Sequence, residues 1–247
     1  MLTKKEVEQM RKNAKIHKKI FEEIKKIAVE WTTTNDIDKL CWDIAKKHNV
    51  LCWFKWAYWF PNNICISIND EIAHWRAWRN ITFKNWDLVN FDFWIRDKGL
   101  WVNTDTWFTM IIWWNKYNPV WAKMIEVNKK ALYAWIKQCI AWNKVWDISE
   151  AVEKEIIKWW FKVVKDLTWH AVWKKIHEKP YIPNYWKAWT WETLKKWMTL
   201  AIEPLIWESS GQIVDEWGWE IYIKDGSLWC QFEHNILITD WEPEIII

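Results

Sequence analysis

The chain has 247 residues, of which 35 are basic and 32 acidic, for a formal net charge of +3. This near balance excludes a dedicated nucleic-acid binder, which shows a strong basic excess, so DNA is not an expected partner. No apolar run reaches the roughly 18 residues of a membrane-spanning helix, and the 51% apolar content suffices for one sizeable core.

The N-terminal stretch MLTKKEVEQMRKNAKIHKKIFEEI is charged and amphipathic and lacks the apolar core of a secretory leader. Val7, Met10, Ala14, Ile20, Phe21, Ile24 and Ile27 recur at helical spacing and predict a helix from Lys4 to Val29. Thr33 and Thr34 are N-cap candidates for a second helix, with Asp36 and Asp38 in its first turn. Strand-like runs follow at Ile64–Ile68, Leu88–Ile95 and Phe108–Ile112. Pro119 opens a long helix over PVWAKMIEVNKKALYAWIKQCI, and another spans Ile148–Phe161. The last third reads as strands, at Met198–Ile202, Glu220–Ile223 and Asn235–Thr239. The segment Trp31-TTTN-Asp36-Ile37 matches Trp142-NKVW-Asp147-Ile148, each copy lying between two helices. An α+β domain over residues 1–247 is expected, built of two similar halves (roughly 1–115 and 116–247) with a site between them. The five cysteines, odd in number and without CxxC spacing, read as reduced thiols of a cytoplasmic protein.

The composition has one anomaly. The chain carries 30 Trp and only 4 Gly, against ordinary glycine usage of roughly 7%. Many of the Trp fall in turns and caps, such as Trp31, Trp86, Trp142 and Trp241. These are places where backbones often need positive φ, which glycine supplies and a bulky residue resists. Some bacterial lineages decode UGA as glycine and others as tryptophan. The expectation is that most of these Trp stand for glycine.

Asp92 sits inside the apolar run LVNFDFWI, and Glu203 inside MTLAIEPLI. A carboxylate among apolar strand residues is costly unless paired, protonated or bound to a cation. Asp105 lies across an expected hairpin from Asp92. A two-residue loop at Lys98-Gly99 would set the two aspartates directly opposite each other. Glu233 sits in CQFEHNILI, and His170 and His177 in WHAVWKKIHEKP. Singly, each has a bland reading as a salt-bridge partner or a hydrogen-bonded histidine. Together, four carboxylates and an imidazole suit a two-metal site, and Co, Mn, Fe or Zn all tolerate such donors.

At FPNNICISINDEIAH, NWDLVNFDF, WHAVWKKIHEKP, WMTLAIEPLI and KDGSLWCQFEHNILITD the sequence resembles the short bacterial type I methionine aminopeptidase family. The resemblance covers nearly the whole chain. It implies the pita-bread fold, two pseudo-symmetric helix-plus-antiparallel-strand halves around a central metal site. It also implies two divalent ions held by Asp92, Asp105, His170, Glu203 and Glu233. The family usually spaces its two aspartate ligands eleven residues apart, which would select Asn103. A two-residue hairpin insertion selects Asp105, and the segment DTWFTM, read as DTGFTM, favours it. The resemblance further implies that His177 stabilises the tetrahedral intermediate, that Glu203 shuttles a proton, and that His74 lies near the substrate's amino end. The methionine pocket would include Tyr58, Cys65, Ile176 and Trp219. Trp86, Trp169, Trp173, Trp197 and Trp229 occupy positions where the family usually has glycine, whereas Trp219 has a family precedent. The implied substrates are the N-termini of nascent polypeptides, and the implied state is a monomer. Lys15–Lys26 offers a transient ribosome contact, although a solvated helix face is the simpler reading. The alternatives are a non-catalytic binding protein on the same fold and an aminopeptidase of different N-terminal specificity.

Overall fold

The computed structural model describes residues 1–57, 60–73, 79–112, 119–165, 167–185, 192–208, 212–216 and 220–247. His74, Tyr58 and Trp219, named above as substrate contacts, lie outside them.

The first helix, α1 (Lys4–Ile27), starts from a reciprocal cap. The Thr3 hydroxyl accepts from the Glu6 N–H, and the Thr3 N–H donates to the Glu6 carboxylate. It stops two residues short of the expected Val29, because the Ala28 N–H closes the last turn on Ile24 and the backbone turns left-handed at Trp31 (φ 78°). Helix α2 (Thr34–Lys47) is capped by Thr33 and Asp36 in the same reciprocal way. Ile20, Phe21 and Ile24 of α1 and Ile37, Cys41 and Ile44 of α2 are buried in one core with Phe91, Phe93 and Ile95. Helices α3 (Pro119–Ile136) and α4 (Val145–Ile157) serve the second half. Helix α3 ends earlier than expected, in a turn where Gln138 and Cys139 donate to Trp135 and Ile136. Helix α4 begins earlier, because the Asp147 carboxylate accepts from the Lys144 N–H and so sets the first turn.

The strand Leu88–Asp97 is the spine of the first half. Along one edge it pairs antiparallel with Asn103–Ile111; along the other it pairs with Cys65–Ile68 and then Val50–Cys52. The register corrects the expected hairpin. Asp92 faces Trp107 and Asp105 faces Trp94, so the two aspartates are diagonal neighbours on one face rather than opposite partners. The loop spans residues 98–102, because the Asp97 carboxylate accepts from the N–H groups of Gly99, Leu100 and Val102. That side-chain bracket replaces a tight two-residue turn.

In the second half a five-stranded antiparallel sheet runs in the order Glu244–Ile245, His234–Leu237, Thr199–Ile202, Thr168–Ala171, Glu178–Pro183. A three-stranded sheet of Trp229–Gln231, Leu205–Trp207 and Lys162–Val163 continues from it. A further sheet joins Glu71–Ala73 of the first half to Ile213–Glu216 and Glu220–Ile223. All five cysteines are buried free thiols. Among the described residues no helix is long and apolar enough to cross a membrane.

Candidate metal centre

Each acidic side chain of the site owes its position to a local strand feature. Asp92 and Asp105 project from the central hairpin just described. Glu203 and Glu233 lie at two breaks where the chain leaves one sheet for the next. Ile202 pairs with His234, and Leu205 pairs with Gln231. The glutamates fall between those pairs, facing each other across the gap. Pro204 helps make the break, since it has no N–H to give to a ladder.

The hairpin is stitched to the second half at this point. Asp105 donates its N–H to the Asn235 side chain (2.8 Å), Glu233 donates its N–H to the Trp107 carbonyl (3.0 Å), and the Thr106 hydroxyl donates to the Glu233 carbonyl (2.9 Å). Ligand oxygens of Asp92, Asp105 and Glu233 consequently lie within 4.8 Å of one another, all buried. One oxygen of each has no hydrogen-bond partner. Asn103 does not join them. Its side chain accepts from the Trp94 indole (3.0 Å) and donates to the Trp173 carbonyl (2.8 Å).

His170 and Glu203 complete the group. His170 Nδ1 lies 3.2 Å from the Ala171 carbonyl, which can only accept, so Nδ1 carries the proton and Nε2 presents its lone pair. That lone pair faces Glu203 Oε1 at 3.5 Å. Two acceptors facing each other in a dry site call for a cation between them. The other oxygen of Glu203 accepts from the Gln231 side chain at 2.6 Å.

Electrostatics agree with that demand. Burial pushes Asp92 well above the usual carboxylate range, and the charges of Asp105 and Glu203 push it further. Burial raises Asp105 to about 7, although hydrogen bonds from Asp92 and the Thr106 backbone oppose the rise. Glu203 and Glu233 rise through burial first and the neighbouring carboxylates second. Burial, helped by the nearby His177, lowers His170 to about 3, so it stays a neutral ligand. Without a cation the chain keeps this cluster by holding protons. Unpartnered oxygens, a free imidazole lone pair and hard donors fit divalent metal ions.

The cluster lies in a cavity of about 180 Å³ walled by Phe54, Phe60, Trp94, Trp107, Ile176 and Leu205. His177 stands at its rim, its ring centroid 4.4 Å from that of His170 and edge-on to it. Cys65 is buried opposite Asp92 in the adjacent strand, but it is not part of the wall. The sequence reading missed Gln231, Asn235 and the two phenylalanines. Gln231 and Asn235 flank Glu233 in the printed sequence, and a polar residue on each side of a candidate ligand was the available signal.

The profile of metallopeptidase family M24 matches residues 8–240. The methionine aminopeptidase of Clostridium acetobutylicum is 29% identical over 98% of this chain and 95% of its own length. That of Aquifex aeolicus is 34% identical over 76% of this chain and 72% of its own. The crystal structure of the Thermotoga maritima methionine aminopeptidase superposes with a TM-score of 0.93 at 31% identity, covering 99% of this chain and 97% of that one.

Proposed function

Since the chain belongs to metallopeptidase family M24 and has the α+β pita-bread fold of an aminopeptidase, we propose that it removes the N-terminal methionine from newly made polypeptides. Its site residues would be Asp92, Asp105, His170, Glu203 and Glu233 as ligands of two divalent ions. The carrying observation is the trio of buried carboxylates with unpartnered oxygens, beside a histidine lone pair aimed at a fourth carboxylate. Bound ions of the Co, Mn, Fe or Zn class supply Lewis acidity and a water whose pKa falls to near neutrality.

The chain's own groups supply the rest. Glu203 is clamped through one oxygen by Gln231, which aims Oε1 at the metal cluster, where the carboxylate would take a proton from the attacking water and return it to the leaving amine. His177, at the rim, donates to the scissile carbonyl oxygen as negative charge develops there. Phe54, Phe60, Ile176 and Leu205 exclude water and offer apolar surface to a methionine side chain.

The test is release of methionine from a Met-Ala-Ser peptide. Turnover is expected with at least one of Co, Mn, Fe and Zn, and its loss is expected with excess chelator. No release with any of the four ions contradicts the proposal and leaves a non-catalytic binding protein.

A further inference from the structure

Nine described residues other than glycine hold a left-handed backbone, and six of them are tryptophan: Trp31, Trp86, Trp101, Trp142, Trp160 and Trp197, with φ between 58° and 80°. The other three are asparagines, which tolerate this conformation because their short side chain bonds locally. A bulky aromatic has no such compensation. Hydrogen bonds hold these turns in place. Trp31 donates to Phe83 and Trp142 to Leu194; Trp86 donates to Ile112 and Trp197 to Ile238. At three of the six the ring does not repay the strain by packing either, since Trp31, Trp142 and Trp160 are 77%, 82% and 89% exposed.

A second misfit lies inside the protein. The indole N–H groups of Trp107, Trp135 and Trp207 are buried with no acceptor, although a buried tryptophan ordinarily finds one. Trp135 and Trp169 are both fully buried with ring centroids only 3.8 Å apart, closer than the roughly 4.5–7 Å of favourable aromatic pairs. Backbone strain and orphaned donors are independent defects. Tryptophan supplies six of the nine left-handed residues other than glycine and also carries orphaned indoles, in a chain with 30 Trp and 4 Gly.

We infer that the cell places glycine, decoded from UGA, at the six left-handed tryptophan positions and at position 107, and that the working metal cavity is correspondingly wider. Trp107 follows Asp105 in the same strand and lines the cavity. The cavity holds about 180 Å³ with that ring in place, below the roughly 300–1,000 Å³ of small-molecule sites. Glycine at 107 removes the orphaned indole and opens space beside the carboxylates. Trp94 also lines the cavity, but its indole has an acceptor in Asn103, so the orphaned-donor argument does not extend to it. The cavity consequence rests on the aminopeptidase reading; the decoding does not.

Tandem mass spectrometry of the protein isolated from its own cells decides the decoding, independently of any activity. Peptides covering positions 31, 86, 107 and 142 are expected to carry glycine, and tryptophan at these positions overturns the inference. A recombinant comparison tests the backbone argument. Trp31→Gly, Trp86→Gly, Trp142→Gly and Trp197→Gly should each raise the melting temperature above the matching alanine variant, because alanine still resists positive φ. Equal glycine and alanine variants contradict that argument. For the cavity, Trp107→Gly is expected to raise kcat/KM on Met-Ala-Ser at least tenfold, and an unchanged kcat/KM contradicts the wider cavity.

Discussion

The two halves of the molecule share a backbone frame and divide the chemistry. The cap of α2 and the cap of α4 repeat each other at a constant sequence offset. Thr33 bridges to Thr82, and Lys144 bridges to Thr193. Phe83 donates back to Thr32, and Leu194 donates back to Asn143. Further on, Ile112 donates to Asp87 where Ile238 donates to Met198. Asp92 and Glu203 stand at that same offset. The halves differ in how they place their side chains of the site. The first supplies two aspartates from one continuous hairpin. The second supplies two glutamates from strand breaks and one histidine from a third strand. A hydrogen-bonded frame can therefore persist while the donors mounted on it diverge, and the site exists only where the halves are sewn together.

The largest expected effect comes from breaking the first half's contribution. If Asp105 is a metal ligand as proposed, Asp105→Ala should lose bound metal and lower methionine release by on the order of 100-fold or more. Asn103→Ala should keep its metal and lose only about 1–2 kcal/mol of stability, from the Trp94 and Trp173 bonds. Metal analysis of both variants checks this, and metal loss in the Asn103 variant alone would reverse the assignment.

A second, intermediate effect depends on pH and engages both halves at once. The four carboxylates are raised in the metal-free chain, Asp105 to about 7. Their protonated forms therefore stabilise the metal-free fold below the ordinary carboxylate range; the Asp105 contribution is lost as pH rises through about 7, and the others are lost as pH rises through their own raised values. A cation must displace the same protons. Metal affinity should weaken as pH falls below about 7, and binding there should release protons. His170, lowered to about 3, stays neutral across this window and does not compete. Calorimetric titration with Mn in buffers of different ionisation enthalpy measures the release; affinity independent of pH between 5 and 8 would contradict it.

The smallest effect sharpens the frame itself. Thr33 and Asp36 complete a reciprocal cap, whereas Lys144 has no side-chain oxygen to accept from the first turn of α4. Thr33→Ala should destabilise by about 1 kcal/mol and Lys144→Thr should stabilise by a similar amount. Thermal melts of the two variants, moving in opposite directions, are the expected result.

Much of this was legible beforehand, for local reasons. Thr33 and Asp36 announced α2, and Pro119 announced the start of α3, because caps and proline act within a single turn. The isolated acids among apolar residues announced the buried carboxylate cluster, because burying a lone charge is costly. The hairpin register was not legible. It depends on the Asp97 carboxylate gathering three backbone donors, which moves the turn away from Lys98-Gly99. The roles of Gln231 and Asn235 were not legible for a related reason, although their flanking of Glu233 was a signal. Their partners, Glu203 and the Asp105 backbone, are distant in sequence and meet them only after the sheets have joined. Tryptophans at turn positions disguised the very signals that glycine would have given.

The central claim is that both halves hold one pair of metal ions. Anomalous diffraction from crystals grown with Mn tests it most directly. Two peaks are expected, each touching ligands from the group Asp92, Asp105, His170, Glu203 and Glu233. Peaks bound by only one half, or no peak at this cluster, would contradict the account.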